Sequence, residues 1–420
     1  MRFGLLTQWY DPEPGPAALP GALARGLRDA GHEVSVLTGF PNYPTGELHS
    51  GYTQKHGHVE SVEGIEIRRA PVYISHDDRP VHRIANYASF GLSAMRAAKD
   101  FFKSLDAVWV NYSPVTIAMP LWRGQRLFNT PAVVEVGDLW PDTIFASGMV
   151  QRNWIGRLGE YALSAWCSRI YQSASSVVYI SPGVRDVLSA RGVNDGQLNY
   201  VPKWADEEVF NPNGDRSSTR RLYGIPEAAK VLVYAGTLGG AQGLASLIEA
   251  TRIINDPDFL LVIAGSGTEE GKLRKIALDI SAQNVMFLGR LPQARMTDLM
   301  AAADFCYVGL AQEPLSEITM PSKTQAILAS KKPLLAAAHG DLNDLVSQHF
   351  VGRTADPASP YSIAASIEWF CKLSPKELTD LGERAGALYD KEFSLARGVK
   401  HIETLLIQAA DQNRKPDVKS

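Results

Sequence analysis

Short apolar runs alternate with amphipathic stretches of helical length along most of the chain, and this alternation restricts the fold more than any other feature. Apolar runs of five to eight residues bounded by turn residues are typical of buried parallel strands. The amphipathic segments between them are typical of the helices that cover such sheets. The pattern predicts an α/β fold of two doubly wound, Rossmann-like parallel-sheet units in tandem. Strands are predicted at 2–8, 32–39, 65–72, 106–112, 131–138, 175–181, 230–236, 259–265, 285–289, 304–310 and 333–337, and helices include 17–30, 244–254, 269–278, 296–303, 323–329 and 395–410.

The length of 420 residues is too great for one ordinary domain. Residues 202–215, which include prolines, asparagines and a glycine, separate the last strand of the first unit from the first helix of the second, and we place the hinge there. We predict an N-terminal domain over 1–203, a second domain over 204–392, a helix over 393–412 that packs back on the first domain, and a disordered polar tail over 413–420.

Composition excludes several classes of protein. The formal net charge is −3 and neither half has a basic stripe, which argues against nucleic-acid binding. Cys167, Cys306 and Cys371 fit no metal-ligand spacing and are expected to be reduced thiols. Residues 1–10 lack an apolar leader, and no stretch reaches the ~18 apolar residues of a membrane span. A cytoplasmic protein is expected, and contact with the inner face of a membrane stays open.

A glycine-rich loop follows the strand at 230–236. Ligands of open α/β sheets bind outside the carboxyl ends of the strands, where glycine lets the backbone approach and a helix start favours an anion. A tight turn that merely needs glycine is the alternative. We predict that the loop binds a diphosphate through Gly236, Thr237, Gly239, Gly240 and Gln242.

A second glycine pair, Gly265 and Gly267, ends the strand at 259–265. Its spacing is G-x-G-x-x-x-G and therefore not the dinucleotide fingerprint, which disfavours a nicotinamide dehydrogenase. Close approach to a nucleoside is one interpretation, and ordinary turn chemistry is the other. The predicted nucleoside-binding residues are Gly265, Gly267, Leu291, Ser322 and Gln325.

Pro321, Ser322 and Lys323 begin a predicted short helix in the second unit. Ser322 is expected to cap the helix. A lysine in the first turn lies beside the positive end of the helix dipole, which is mildly unfavourable unless an anion offsets it. Lys323 is therefore a candidate anion ligand, and a solvated surface lysine is the alternative.

The loop after the first strand contains Pro12, Pro14, Gly15 and Pro16. Prolines stiffen a loop, and Gly15 allows the backbone to bend before a helix start. We predict a shaped loop that lines a cleft, with Gly15 near the diphosphate; a rigid connector is the alternative.

Asp256 and Asp258 form a DxD sequence, which many transferases use to hold a divalent metal. Here it lies before a strand, at the opposite edge of the sheet from the ligand loops. We interpret it as a polar turn, and expect neither a metal nor a cofactor.

Taken together, these loops resemble glycosyltransferase family 4, the retaining GT-B enzymes that use sugar nucleotides. The resemblance covers nearly the whole chain and is carried by PEPGP, SPGVRDVLSARGV, AGTLGGAQGL, IAGSG, NVMFLGRLP and PSKTQAILASKKPLLAA. FPNYPTGELHSGY, EVGDLWPDTIFASGM and PSKTQ are similar to bacterial surface-polysaccharide transferases of the N-acetyl-L-fucosamine type. The resemblance implies two Rossmann-like domains facing a cleft, with a nucleotide sugar, expected to be a UDP-sugar, held mainly by the second.

The chain departs from the family pattern at the donor site. The family places Arg and Lys where this chain has Thr237 and Gln242. The family also has two glutamates eight residues apart, and the second of them would fall on Ala326. The nearest pair with that spacing is Glu317 and Gln325, which is one residue out of register. Our hypothesis is that Lys323 supplies the missing charge to the leaving diphosphate.

The resemblance also implies a mechanism. Transfer would retain the anomeric configuration, and the leaving oxygen could take the acceptor's proton, so neither a general base nor a metal is required. The predicted catalytic residues are Lys323, Glu317, which would bind sugar or ribose hydroxyls, and Asp138.

Asp138 ends the strand at 131–138, just before Trp140 and Asp142. A carboxylate beside an aromatic ring suits a sugar acceptor, and a carboxylate that caps the next turn is the alternative. The predicted acceptor residues are Asp138, Trp140, Asp142 and His82.

The acceptor in this group is typically a lipid-linked sugar. Two helical stretches, 83–104 and 153–173, mix aromatic and basic residues and could lie on a bilayer, with Trp154 and Trp166 in the second. Core-facing amphipathic helices are the alternative.

Two other functions fit parts of the pattern. A nonhydrolysing sugar-nucleotide 2-epimerase would need acid and base carboxylates that we cannot place. A catalytically silent nucleotide-binding scaffold would explain the missing Arg, Lys and Glu.

Overall fold

The computed structural model describes residues 1–15, 19–75, 79–146 and 154–414. It divides into two compact units. Unit 1 comprises Met1–Pro202 together with the C-terminal segment that begins at Leu395, and unit 2 comprises Lys203–Ser394.

Unit 1 is built on a sheet of eight strands in the order β3-β4-β2-β1-β5-β6-β7-β8, in which only the β3–β4 pair is antiparallel. The strands are β1 Arg2–Leu6, β2 Glu33–Gly39, β3 His58–Val62, β4 Ile65–Ala70, β5 Ala107–Asn111, β6 Ala132–Val136, β7 Ser176–Tyr179 and β8 Leu198–Tyr200. The helices are α1 Leu19–Asp29, α2 Pro80–Phe102, α3 Ala118–Phe128, α4 Asp142–Ala146, α5 Trp154–Gln172 and α6 Val184–Ala190.

Unit 2 is built on a wholly parallel sheet of six strands in the order β11-β10-β9-β12-β13-β14. The strands are β9 Lys230–Ala235, β10 Phe259–Ala264, β11 Val285–Gly289, β12 Phe305–Gly309, β13 Leu334–Ala337 and β14 Gly352–Ala355. The helices are α7 Arg216–Tyr223, α8 Leu244–Thr251, α9 Glu270–Asp279, α10 Met296–Ala302, α11 Pro314–Glu317, α12 Ser322–Ala329, α13 Asp341–His349, α14 Pro360–Cys371 and α15 Pro375–Leu388. Helix α16, Leu395–Arg414, follows and belongs to unit 1.

The predicted fold class of two doubly wound α/β units is confirmed. Three strands were not predicted, because none of them is an apolar run. β3 is a mostly exposed edge strand with charged residues, β8 has three residues, and β14 has the sequence Gly-Arg-Thr-Ala. Such edge strands are held by pairing with a neighbour, which a hydrophobic pattern does not reveal.

Strand order reverses at one point in each sheet. The reversal lies between β1 and β5 in unit 1 and between β9 and β12 in unit 2. A crevice outside the carboxyl ends of the strands forms at such a point, and ligands of doubly wound folds bind there. In unit 2 the loops at this point are 236–243, after β9, and 310–321, after β12.

Helix α16 packs against α1, β5 and β6 within unit 1. His32 Nε2 lies 2.9 Å from Glu403 Oε1, and Asn413 Nδ2 donates to the Asn129 carbonyl at 3.0 Å. The helix therefore extends to Arg414, and the first residues of the predicted disordered tail are helical. The prediction was wrong there because the polar residues after Ala410 bond to unit 1, which sequence composition cannot show.

Arg220 on α7 is fully buried in unit 2 and ties this helix to the sheet. Its Nη2 donates to Asp304 Oδ2 at 2.9 Å and to the Ala302 carbonyl at 3.0 Å, and its Nη1 donates to the Glu227 carbonyl at 2.7 Å. A buried charge is tolerated only when it is paired and hydrogen-bonded in this way.

Arg220→Met should lower the free energy of unfolding of unit 2 by about 3–5 kcal/mol, because it removes one of the two arginines that pair with Asp304 and leaves several carbonyls without their donor. Urea denaturation measures this change. Arg221→Met, at the exposed neighbouring position, is the control and should change it by less than about 0.5 kcal/mol. Equal effects of the two substitutions would contradict the assignment.

Candidate functional site

Lys323, the second residue of α12, carries a partly buried ammonium group. Its Nζ donates to the Tyr234 hydroxyl at 2.9 Å and lies 4.3 Å from the centroid of the Tyr234 ring. Among the described residues no carboxylate comes within 4.0 Å of it, and burial lowers the pKa of Lys323 to about 8. The site therefore presents a cation without a counter-ion, which is the condition that an anionic ligand satisfies.

Gly236 has no side chain, and this makes room for the Lys323 ammonium. Its φ is 149°, which favours glycine, and a Cβ on it would lie 3.2 Å from Lys323 Nζ. The Tyr234 hydroxyl also donates to the Thr237 carbonyl at 2.5 Å. The predicted diphosphate loop and the predicted anion-binding lysine thus lie against each other.

The two glycine loops pack directly on one another. Leu238 N donates to the Ser266 carbonyl at 3.0 Å, and Glu269 N donates to the Leu238 carbonyl at 2.9 Å. A Cβ on Gly265 would lie 1.8 Å from the Gly236 carbonyl oxygen, and one on Gly267 would lie 2.3 Å from that of Leu238. Packing between the loops accounts for Gly265 and Gly267, and their predicted nucleoside contact stays a prediction.

Gln242 has a local role that the sequence did not predict. Its Oε1 accepts from Gly239 N at 3.1 Å across the turn Gly240–Gln242, just before α8. The Gly239 N–H is therefore already bonded, and the prediction that this N–H binds a diphosphate requires the bond to open. Thr237 and Gly240 are exposed, and a Cβ on Gly240 would meet nothing within 4 Å.

The remaining predicted nucleoside residues fit less well. Ser322 does not cap α12, because Pro321 occupies the N-cap position and Ser322 is already helical. Gln325 is 1% exposed, and its amide nitrogen is placed to donate to the Pro321 and Ser322 carbonyls at 2.9 and 3.1 Å. Leu291 is partly buried and packs against the unit 2 core. Of these, Ser322 is exposed beside Lys323, and Gln325 stabilises its own helix.

Glu317 ends α11, after β12 at the reversal of strand order, and is exposed. A Cβ on Gly340, which has a φ of 64°, would lie 1.9 Å from the Glu317 carbonyl oxygen. Gly340 therefore allows the loop after β13 to pack against the segment that carries Glu317. Sequence analysis missed Gly340, although its place after the strand at 333–337 was a usable indication.

Asp256 and Asp258 form a turn before β10, at the amino ends of the strands. Asp258 N donates to Asp256 Oδ1 at 3.0 Å. In the described part of the chain, no three His, Cys, Asp or Glu side chains are grouped so that they could share a metal ion.

In unit 1, the loop after β1 is held by a buried carboxylate. Glu13, 2% exposed, accepts from Tyr10 N at 3.1 Å, Asn42 N at 2.8 Å and Tyr43 N at 2.9 Å, and burial raises the pKa of its carboxyl group. Gly15 has a φ of 69°, as the predicted bend requires, and Pro16 lies outside the described residues. Glu13 was not singled out in the sequence, where it is one acidic residue among prolines.

The predicted acceptor residue Asp138 follows β6 and is exposed. Ser113 Oγ, after β5, donates to its carboxylate at 2.8 Å. Trp140 lies in a row of three partly exposed rings, with centroid distances of 6.2 Å from Trp9 to Tyr87 and 6.0 Å from Tyr87 to Trp140.

Asp142 and His82 have other partners. Asp142 forms an ion pair with Arg191, whose Nη1 donates to the Trp140 carbonyl at 2.7 Å. The His82 ring lies 6.0 Å from the Tyr73 ring. Asp142 thus helps to hold Trp140 in place instead of presenting a free carboxylate.

Trp166, the tryptophan of the second membrane candidate whose side chain the structure describes, packs inward. Trp166 Nε1 donates to the Val115 carbonyl at 2.9 Å, and its ring lies 4.7 Å from Trp122. The side chain of Trp154 lies outside the described residues. The outward apolar residues of α5 are instead Leu158 and Tyr161.

Comparison with known proteins matches both halves of the chain. The family described as "Glycosyl transferase 4-like domain" matches residues 15–204, and "Glycosyl transferases group 1" matches residues 215–387. The chain is 24% identical over 404 residues to WcaI of Escherichia coli (strain K12), which is named as a glycosyl transferase of colanic acid biosynthesis; the match covers 94% of this chain and 97% of WcaI.

Two solved structures have the same fold. Sucrose-phosphate synthase from Thermosynechococcus elongatus is similar with a TM-score of 0.73 and 18% identity, covering 98% of this chain and 99% of that one. Anabaena HepE in complex with UDP is similar with a TM-score of 0.68 and 15% identity, covering 97% and 100%. The matches favour glycosyl transfer over the epimerase and scaffold alternatives.

Gly267→Ala should lower the free energy of unfolding by about 1–3 kcal/mol, because the added methyl group overlaps the Leu238 carbonyl where the two loops pack. Chemical denaturation of unit 2 measures the change. Gly240→Ala, in open space on the same loops, should be neutral within about 0.5 kcal/mol. If both variants were as stable as the unchanged chain, the loops would not be packed as described.

Proposed function

The chain belongs to glycosyltransferase family 4 and has the GT-B fold, and from this premise we propose that it transfers a sugar from a UDP-sugar to a saccharide acceptor with retention at the anomeric carbon. UDP-N-acetyl-L-fucosamine is the donor that the sequence motifs favour. The proposal depends chiefly on one observation, which is that the ammonium of Lys323 lies beside the glycine loops with no carboxylate partner in the part of the chain that the structure describes.

A nucleoside diphosphate fits this arrangement in charge and in position. The loops 236–243 and 310–321 lie where the strand order of unit 2 reverses, and Lys323 is the cation between them. A charge-assisted hydrogen bond contributes about 1.5–3 kcal/mol, and the dipole of a helix start adds about 0.3–1 kcal/mol. HepE binds UDP in its complex, which supports uridine as the nucleoside.

Lys323 would act when the sugar–oxygen bond breaks. Negative charge then grows on the leaving diphosphate, and a cation already in place stabilises it without reorganisation. The leaving oxygen takes the proton of the acceptor hydroxyl, so the reaction needs no separate base. Because Lys323 and the exposed backbone of the loop supply the charge stabilisation, we propose that the reaction is metal-independent. Glu317 would bind hydroxyl groups of the sugar or ribose.

Unit 1 would bind the acceptor, which we propose is a sugar or a lipid-linked sugar of bacterial surface-polysaccharide synthesis. The name of WcaI, which refers to colanic acid biosynthesis, supports this class of product. Asp138 offers a carboxylate oxygen to a sugar hydroxyl, and the rings of Trp9, Tyr87 and Trp140 offer apolar faces. A few polar groups placed among aromatic rings are typical of ligand sites.

We also propose that helix α2 contacts an anionic membrane surface. Within the described residues no helix is both long and apolar enough to cross a bilayer. Along its outward face, however, Val81 is 72% exposed, Ile84 57% and Leu92 49%. Exposed basic residues flank this face, namely Arg79, Arg83, Arg96, Lys99 and Lys103. An apolar face with basic flanks is typical of helices that lie in the interface of a bilayer.

Lys323→Met should weaken UDP binding by about 10- to 100-fold, because it removes one charge-assisted hydrogen bond and keeps the length of the side chain. Isothermal titration measures the affinity, and release of UDP from UDP-N-acetyl-L-fucosamine with an acceptor measures turnover. Lys272→Met, at an exposed lysine of α9, is the control and should behave like the unchanged enzyme. A UDP dissociation constant within threefold of the unchanged enzyme for Lys323→Met would rule out the proposed role.

The double variant Val81→Glu/Ile84→Glu should no longer float with anionic phospholipid vesicles, because two carboxylates replace the exposed apolar contact of α2. Leu278→Glu, at a residue of α9 that is 77% exposed, is the control and should float like the unchanged chain. Flotation that is unaffected by the double substitution, or no flotation of the unchanged chain, would contradict the membrane proposal.

A further inference from the structure

The structure assigns Tyr234 as a positioning residue that holds the Lys323 ammonium in place for the donor diphosphate. Tyr234 lies near the end of β9, in a strand whose pattern indicates only buried core. The inference rests on the proposed function, since it concerns how the cation of that site is held. Tyr234 itself would not touch the reacting atoms.

The Tyr234 hydroxyl is bonded on both sides. It accepts from Lys323 Nζ at 2.9 Å and donates its own proton to the Thr237 carbonyl at 2.5 Å. The second bond orients the oxygen lone pairs, so that the first can form in one direction only. The hydroxyl therefore connects the start of α12 to the glycine loop through one atom.

The Tyr234 ring contributes a second attraction. Lys323 Nζ lies 4.3 Å from the ring centroid, within the range of a cation–π contact. The absent Cβ of Gly236 leaves room beside this contact, since a Cβ there would lie 3.2 Å from Lys323 Nζ and 3.5 Å from the Tyr234 hydroxyl oxygen. The tyrosine hydroxyl, its ring and the glycine backbone thus fix the place of the ammonium.

Tyr307 provides an internal comparison. It lies on the neighbouring strand β12, is 1% exposed, and its ring is 6.3 Å from that of Tyr234. In the part of the chain that the structure describes, its hydroxyl has no hydrogen-bond partner. The two side chains share the same core, but only the Tyr234 hydroxyl is connected to the site. Replacing each by phenylalanine therefore separates positioning from packing.

The pH dependence of UDP binding provides a measurement of how Tyr234 positions the Lys323 ammonium. Burial lowers the pKa of Lys323 to about 8, so the free site is charged below that pH and loses its charge above it. UDP affinity should therefore fall as pH rises through about 8. The hydroxyl of Tyr234 accepts from the charged form and favours it, so that removing this oxygen should lower the pKa further and move the fall in affinity to lower pH.

Other titratable groups near Lys323 do not account for such a change. Burial raises the pKa of Tyr234 and of Tyr307 well above this range. Helix α12 also packs against α15 and the turn Tyr389–Phe393, where Glu383 pairs with Lys331 at 2.8 Å and Tyr389 donates to Glu207 at 2.8 Å. Burial, with no contribution from a charged side chain, is the cause of the lowered pKa of Lys323.

The test is isothermal titration of UDP into the full-length chain and the variants Tyr234→Phe, Tyr307→Phe, Lys323→Met and Tyr234→Phe/Lys323→Met, from about pH 6.5 to 9.5. We expect Tyr234→Phe to weaken UDP about five- to twentyfold at neutral pH and to shift the fall in affinity to lower pH. Tyr307→Phe should stay within about twofold with an unchanged pH profile. In the Lys323→Met background, Tyr234→Phe should add nothing, and the pH dependence near 8 should be gone.

The outcomes separate the two hypotheses. If Tyr234→Phe matches the unchanged chain at every pH while Lys323→Met loses affinity, the positioning role is overturned and the proposed function stands. If Tyr234→Phe weakens binding equally with and without Lys323, or if Tyr307→Phe has the same effect, the role is also overturned, since the hydroxyl then acts through packing. If the unchanged chain and Lys323→Met bind UDP equally or not at all, the donor proposal itself fails.

Discussion

A partly buried ammonium that has no carboxylate partner among the described residues is the constraint on which the site depends. Burial of Lys323 disfavours its charge, and the Tyr234 hydroxyl and ring compensate for this only in part. An anion in front of the lysine would complete the compensation. The family usually relies on an arginine and a lysine in the first loop, where this chain has Thr237 and Gln242. We propose that Lys323, at the start of α12 and against Gly236 of the same loop, supplies the replacement charge.

Most of unit 2 can be understood as the frame that holds this lysine beside the glycine loops. The parallel strands β9, β10 and β12 are largely buried, and Arg220 with Asp304 ties α7 to the start of β12. Gly265 and Gly267 allow the second loop to pack on the first. Unit 1 uses a comparable device, since buried Glu13 bonds three backbone N–H groups and shapes the loop after β1.

Sequence reasoning predicted the parts that depend on local pattern. Apolar runs located every central strand, glycine after a strand located the loops after β9 and β10, and the start of a predicted helix pointed to Lys323. Sequence reasoning failed where tertiary contacts determine the local structure. Ser322 does not cap α12, because Pro321 occupies the N-cap position. Gln325 is placed to bond to carbonyl groups of its own helix. Strands β3 and β14 form only by pairing with the neighbouring strands β4 and β13. Tyr234 and Glu13 were missed for the same reason. A tyrosine in an apolar strand predicts packing, and one glutamate among prolines predicts nothing about its three donors.

The most direct test of the central claim is a crystal structure of the chain with UDP. We expect the diphosphate in front of the glycine loop of unit 2, with an oxygen about 3 Å from Lys323 Nζ and with Tyr234 still bonded to both Lys323 and Thr237. The uridine would lie on the side of the loop after β10. UDP bound with its diphosphate away from Lys323, or with Lys323 turned to a carboxylate of the protein, would contradict the account.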